Sequence, residues 1–153
     1  MNIDQIMRVN LITLSPSAPL ETALKLHGEH HYESRLTYVI HYDTTLLGVI
    51  TFHDLLKKLI PEELVTQFEG LDQPFEAQRH LLLHYQNIRR TPVEHLMARE
   101  FPTLAPTDSI LHACALFQAR EVTAIPVVDK NGLLVGEVTR RLLVRALAGR
   151  LLD

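Results

Sequence analysis

The sequence is poor in the features that would tie it to several large classes of function. It holds one cysteine, Cys114, so no internal disulfide can form, and a reducing compartment is the expected setting. No stretch approaches 18 apolar residues, and no basic start leads into an apolar run, so neither a membrane span nor a secretory leader is expected. Charge of one sign is also missing: 15 basic groups against 18 acidic ones give −3, no field to gather nucleic acid and a slight bias against an anionic membrane. Gly-x-Ser-x-Gly, a phosphate-binding P-loop, paired Cys-x-x-Cys and His-Glu-x-x-His are all absent, which removes the common signatures of hydrolases, NTPases and zinc enzymes. What remains is a cytoplasmic, non-catalytic globular chain. Its 153 residues, 46% hydrophobic and 22% charged, suffice for one ordinary core.

Within this chain is a repeat. Ile12-Thr13-Leu14-Ser15-Pro16 aligns with Pro102-Thr103-Leu104-Ala105-Pro106 at an offset of 90, which also superposes Met7 on Met97, Leu20 on Ile110, Ala23 on Ala113 and Leu26 on Leu116. Leu47-Gly48-Val49-Ile50-Thr51 aligns with Val135-Gly136-Glu137-Val138-Thr139 at an offset of 88. Matches that keep their order carry more weight than any one of them.

The second copy reads as Phe101 to Leu104 extended, then a helix capped by Thr107 or Asp108 with Ile110, Leu111, Cys114, Leu116 and Phe117 at helical spacing. Strands follow at Ile125 to Val128 and Leu133 to Val138, joined by a turn over Asp129-Lys130-Asn131-Gly132. Thr139 opens a last helix carrying Leu142, Leu143, Ala146 and Leu147. The first copy repeats this order: Leu11 to Leu14, Leu20 to about Glu29, Leu36 to His41, Leu46 to Thr51, and Phe52 to Ile60. The expected fold is therefore α/β (α+β): tandem β-α-β-β-α repeats packed with pseudo-twofold symmetry around a helical insertion. The boundaries are 1–60, 61–91 and 92–153. Two helices are expected in the spacer, one begun by Pro61 and stopped by Gly70, the other over Pro74 to about Ile88. Its apolar residues (Leu64, Val65, Phe68, Phe75, Leu81, Leu82, Tyr85 and Ile88) need either the module or a second subunit to cover them.

Val122-Thr123-Ala124-Ile125-Pro126-Val127-Val128-Asp129, followed by Gly132, Gly136 and Thr139, resembles a cystathionine-β-synthase-type (CBS) domain. Gly48-Val49-Ile50-Thr51-Phe52-His53-Asp54 resembles the end of another. Together they are similar to a CBS pair, or Bateman module, over about 120 of the 153 residues. The resemblance implies a regulatory module that binds an adenosine-containing ligand between the repeats, pairs into a homodimer, and acts in trans on an effector protein. It also implies a ribose-binding signature at Gly48, Thr51 and Asp54, with His53 beside it to meet phosphate. Val122, Thr123 and Ala124 would cradle adenine, with Asp108 and Ala113 at the helix start and Arg35 on phosphate. AMP, ADP, ATP and S-adenosylmethionine are the candidate regulatory ligands; no cofactor, nucleic acid or membrane partner is implied.

Each of these residues also has a plain structural reading. Thr51 and Asp54 could be a helix cap and an early acid. The second copy departs from the signature at Leu142, where the aspartate should stand, so its cleft is expected to be degenerate or to take another ligand. Arg140 and Arg141 fall in a first helical turn, where positive charge opposes the dipole unless an anion or acidic partner faces them. The histidines (His27, His30 and His31; His80 and His84) are read as structural or surface groups rather than metal ligands, and Cys114 as inert core. The alternative to a ligand sensor is a ligand-free interaction and dimerisation scaffold.

Overall fold

The hairpin strands are rich in β-branched and apolar residues, Leu36–Ile40 and Ala124–Val128 above all, and each hairpin leads into a helix opened by a threonine cap. A computed structural model describes residues 1–29, 34–69 and 74–152. The first repeat comprises β1 (Ile12–Leu14), α1 (Leu20–His27), β2 (Leu36–Ile40), β3 (Leu46–Thr51) and α2 (Phe52–Leu59). The spacer forms α3 (Glu62–Phe68) and α4 (Pro74–Ile88), and a short 3-10 turn over Val93–His95 leads into the second repeat. That repeat comprises α5 (Ile110–Ala119), β4 (Ala124–Val128), β5 (Leu134–Thr139) and α6 (Arg140–Leu151).

β1 runs parallel to β2, and β2 antiparallel to β3. The second repeat keeps the antiparallel β4–β5 pair but reduces its first strand to one parallel bridge, Leu104 to Val127. Pro102 stands there in place of Ile12 and has no N–H for a ladder. α5 is capped one residue later than the sequence suggests: the Ser109 hydroxyl accepts from the His112 amide at 3.1 Å. Asp108 closes the preceding turn instead, its Oδ2 accepting from the Ala105 amide at 2.8 Å.

The two repeats are related by a pseudo-twofold axis that the backbone bridges display. Arg8 bridges Glu137 and Ala98 bridges Val49; Asn2 bridges Ser109 and Pro92 bridges Pro19. Each pair maps onto its partner pair under the offsets of 90 and 88, while Thr45–Leu133 maps onto itself and so lies on the axis. The segment leading into each repeat therefore packs against the other repeat. Ile3 is wholly buried in the core of the second repeat with Ile110, Phe117, Ile125 and Leu143. Its equivalent, Val93, is wholly buried in the core of the first with Leu20, Val39, Ile50 and Leu55. Fully burying such side chains contributes about 1.5–3 kcal/mol each, so the exchange ties the repeats together. A third cluster, Leu36, Tyr38, Val49 and Ala124, joins the two sheets near the axis.

The same exchange explains two glycines. A Cβ on Gly48 would lie 2.4 Å from the Met97 sulfur, and one on Gly136 would lie 2.5 Å from the Met7 sulfur. Gly132 serves the turn chemistry instead, with φ of +80°.

Candidate functional site

Pseudo-twofold symmetry creates two clefts, each with one wall from each repeat. The first has a volume of about 360 Å³. Val49, Thr51, Phe52 and His53, at the end of β3 and the start of α2, form one wall; Phe101, Pro102 and the segment Glu121–Ala124 form the other. Most of this lining is apolar, and it carries backbone groups at a strand end and a helix start. Such a slot suits a flat heterocycle with a polar edge.

Five of the residues expected at a nucleotide site are brought together here: Thr51, His53, Val122, Thr123 and Ala124. Gly48 does not line the cleft; it is buried under Met97. Nor does Asp54, which engages Thr51 in a reciprocal capping box: the Thr51 amide donates to Asp54 Oδ2 at 2.9 Å and the Asp54 amide donates to Thr51 Oγ1 at 3.0 Å. Among the described residues that is the one hydrogen bond the Asp54 carboxylate accepts, so Oδ1 has acceptor capacity left. Asp108 is occupied by the turn described above, and Ala113 is wholly buried in the core of the second repeat. Phe101, Pro102 and Glu121 line the cleft without having been singled out in the sequence; their signal is position, since they immediately precede the two strands that reach the axis.

The second cleft, about 310 Å³, is chemically different. Arg8, His27, Ser34, Arg35, Phe52, Arg141 and Arg145 line it. Arg35 thus belongs beside Arg141 and not with the Thr51 wall, because it is the symmetry equivalent of Thr123 and lies on the opposite side of the axis. Arg140 lies in neither cleft. Its guanidinium stacks 5.1 Å from the centre of the Phe117 ring and donates to the carbonyls of Val122, Phe117 and Arg120, covering the end of α5. An anion contact for Arg140 is therefore replaced by a structural one.

At the base of the second cleft stands Glu137, wholly buried in β5 at the position equivalent to Val49. Its carboxylate accepts from the Tyr38 hydroxyl at 2.5 Å, the Arg35 amide at 3.1 Å, the Leu36 amide at 3.3 Å and the Ser34 hydroxyl at 3.3 Å. Arg8 ion-pairs with it at 3.9 Å. Burial, then the neighbouring carboxylate, push the Tyr38 phenol well above its ordinary range and keep it a donor. The amides of Arg35 and Leu36 are the counterparts of those of Thr123 and Ala124. In this cleft they are already consumed by a carboxylate, so a heterocycle cannot use them. Nothing in the pattern of a single strand marks Glu137; comparison with Val49 across the repeat does.

His27 bonds Thr37 Oγ1 at 2.5 Å, meets the Phe52 ring edge-on at 4.8 Å, and has its pKa lowered by burial. His84 Nε2 bonds the Lys58 carbonyl at 2.9 Å. His30 and His31 lie outside the described residues. Among those described, no three metal-ligating side chains converge, and no helix is long and apolar enough to cross a membrane.

Comparison with known proteins agrees with this architecture. A CBS domain-containing protein of Dictyostelium discoideum is 29% identical over 138 residues, 90% of this chain and 85% of its own length. The CBS-pair protein CBSX2 of Arabidopsis thaliana superposes with a TM-score of 0.75 at 25% identity, covering 99% of this chain and 97% of its own. A CBSX2 structure in complex with AMP gives a TM-score of 0.71 at 25% identity, with 97% of each chain covered. The CBS domain family itself matches residues 3–61 and 93–149, one copy in each repeat. Two copies, joined about a pseudo-twofold axis and together spanning most of the chain, make this protein a member of the CBS domain family, as a CBS pair.

Proposed function

We propose that the chain is a regulatory module that binds an adenosyl ligand in the apolar cleft and passes its occupancy to a partner protein in trans. The observation that carries this reading is the make-up of that cleft, with Val49, Thr51 and His53 from one repeat facing Val122–Ala124 from the other. A ligand held there touches both repeats and favours the geometry in which both walls reach it, which is the differential binding a regulatory transition requires. The Thr123 and Ala124 backbone and the apolar wall suit adenine; Asp54, with Oδ1 in hand, suits the ribose diol. Related folds support the chemistry: CBSX2 was solved with AMP, another CBS pair with 5′-methylthioadenosine and S-adenosyl-L-methionine, and the cytosolic domain of the Mg2+ channel MgtE with ATP.

Calorimetric titration with AMP, ADP, ATP and S-adenosylmethionine tests the reading. Asp54→Asn is the informative variant, because an amide oxygen can still accept from the Thr51 amide and keep the capping box. Loss of charge-assisted bonds to the ribose, about 1.5–3 kcal/mol each, should weaken binding at least tenfold, at about 1.4 kcal/mol per decade. Unchanged affinity in Asp54→Asn removes that residue from the site. No binding of any of the four leaves the interaction-scaffold reading in its place.

A further inference from the structure

Arg140 belongs to neither cleft, yet it is fastened to the wall of one. α5 ends at Ala119 without a glycine, Arg120 leaves it in an extended conformation (φ −133°, ψ 140°), and the chain runs irregularly through Glu121 and Val122 before β4 begins at Ala124. The last carbonyls of such a helix must find donors outside it. Arg140 supplies them: its guanidinium donates to the carbonyls of Phe117 at 3.4 Å, Arg120 at 3.5 Å and Val122, and lies 5.1 Å from the centre of the Phe117 ring. A planar fork with five fixed donors can hold three carbonyls at once, which a lysine or a glutamine cannot. A cation in the first turn of α6 opposes that helix's dipole, but the side chain carries it to the C-terminal end of α5, where the dipole favours it. Register brings the two together, since Thr139 pairs with Ala124 and Arg140 is the next residue.

The segment so held, residues 121–124, is one wall of the apolar cleft. At the equivalent position of the first repeat stands Phe52, which has no donor; it meets His27, the equivalent of Phe117, edge-on at 4.8 Å. Among the described residues the guanidinium clamp is thus confined to the cleft read above as the ligand site. From this we infer that Arg140 is a positioning residue for that cleft: without touching the ligand, it fixes the backbone of 121–124 in the geometry that reads the base. The inference rests on the adenosyl reading above and assigns a residue that tunes its affinity. Arg140 is exposed and its bonds stay within one repeat, so its loss changes the order of the segment more than the stability of the fold. Order missing from the free protein is then restored on binding, at the expense of affinity.

The experiment titrates adenosine and AMP into the parent chain, Arg140→Gln, Arg140→Lys and Arg150→Gln, the last a charge control from the far end of α6. Arg140→Gln should weaken adenosine and AMP by the same factor, roughly tenfold, because the segment must be re-ordered on binding. Arg140→Lys, a point charge in place of a fork, should fall between it and the parent, and Arg150→Gln should bind as the parent does. Hydrogen exchange in the peptide spanning 118–126 should quicken in Arg140→Gln and return to the parent rate with saturating adenosine, while the melting temperature stays within about 4 °C of the parent's. Parent-like affinity for adenosine in Arg140→Gln overturns the assignment. So does a loss for AMP alone, which would mean that the guanidinium meets phosphate, and so does an equal loss in Arg150→Gln, which would mean that any cation serves. If Arg140→Gln fails to fold, Arg140→Lys carries the test: a shared loss for both ligands supports the assignment and parent-like affinity overturns it. Each of these outcomes leaves the adenosyl reading standing; failure of the parent to bind either ligand overturns both.

Discussion

Glu137 occupies in the second repeat the position that Val49 holds in the first, and Leu142 the position of Asp54. These two exchanges make one cleft apolar with a carboxylate behind it, and the other basic with a buried carboxylate at its base. A buried charge is retained only when fully satisfied, and Glu137 draws on the Tyr38 hydroxyl, two amides, the Ser34 hydroxyl and Arg8. Tyr38→Phe should therefore cost about 1.5–3 kcal/mol in chemical denaturation at neutral pH, the worth of a hydrogen bond to a charged group. The phenol also sets an alkaline limit. Its folded pKa is raised above the unfolded value of 10.0, so its contribution is fully present below pH 10 and is lost as pH rises further. His27 acts at the acid side. Its folded pKa is lowered from 6.5, so stability is fully present above that pH and declines below it, as the unfolded chain takes up the proton more readily. Denaturation curves from pH 5 to 11 should show a plateau between these limits, and Tyr38→Phe should lessen the alkaline decline. A curve of the same slope in parent and variant above pH 10 would remove Tyr38 from that account.

At the scale of elements, the exchanged leading segments are the device that joins the repeats, and the glycines under the methionines test it. An alanine at Gly48 would place its Cβ 2.6 Å from Met97 Cγ and 2.9 Å from Met97 Cβ, while one at Gly136 would also meet the Arg8 carbonyl at 3.1 Å. Overpacking of this kind costs about 1–3 kcal/mol. Gly136→Ala should cost more than Gly48→Ala, because a backbone carbonyl paired to β5 cannot turn aside as a thioether can. Met97→Ala should recover part of the loss in Gly48→Ala, a coupling that a double-mutant cycle measures. Simple additivity would show that the methionine is not what the glycine accommodates. Helix starts differ in the same paired way: α2 has both halves of its capping box, whereas α6 has only the Thr139 hydroxyl accepting from the Leu142 amide at 3.3 Å, since leucine cannot reciprocate.

For the whole molecule, the open matter is what covers the apolar residues left outside. The spacer spends part of its apolar side on the first repeat, where Ile88 is buried and Tyr85 packs against the same core. Val65, Leu82 and Leu83 remain about half exposed, as do Leu56 on α2 and its symmetry equivalent Val144 on α6. A homodimer that covers these residues, burying on the order of 1,200 Å² or more in total, is the expected state in solution. Light scattering at tens of micromolar should give twice the 17.4 kDa chain mass; a particle of the single-chain mass would leave those residues for a different partner.

The sequence by itself determined the repeat, its strand–helix–hairpin–helix order, the spacer helices and the threonine caps, because these follow from side-chain periodicity and turn chemistry among near neighbours in the chain. Tertiary structure alone decided which wall faces which. Met7 and Met97 are legible as equivalents, but only folding sets each against the other repeat's hairpin, and the same crossing brings Arg35 and Arg141 to one cleft. Asp54 and Thr51 show the limit from the other side: three residues apart, they suit a helix start and a ribose equally well, and the structure supplies the capping box without removing the spare oxygen. Glu137 was hidden for a related reason. A single acid in an apolar strand has no local signature, and its four donors come from residues about 100 positions away, brought to it by the pseudo-twofold packing that also separates the two clefts.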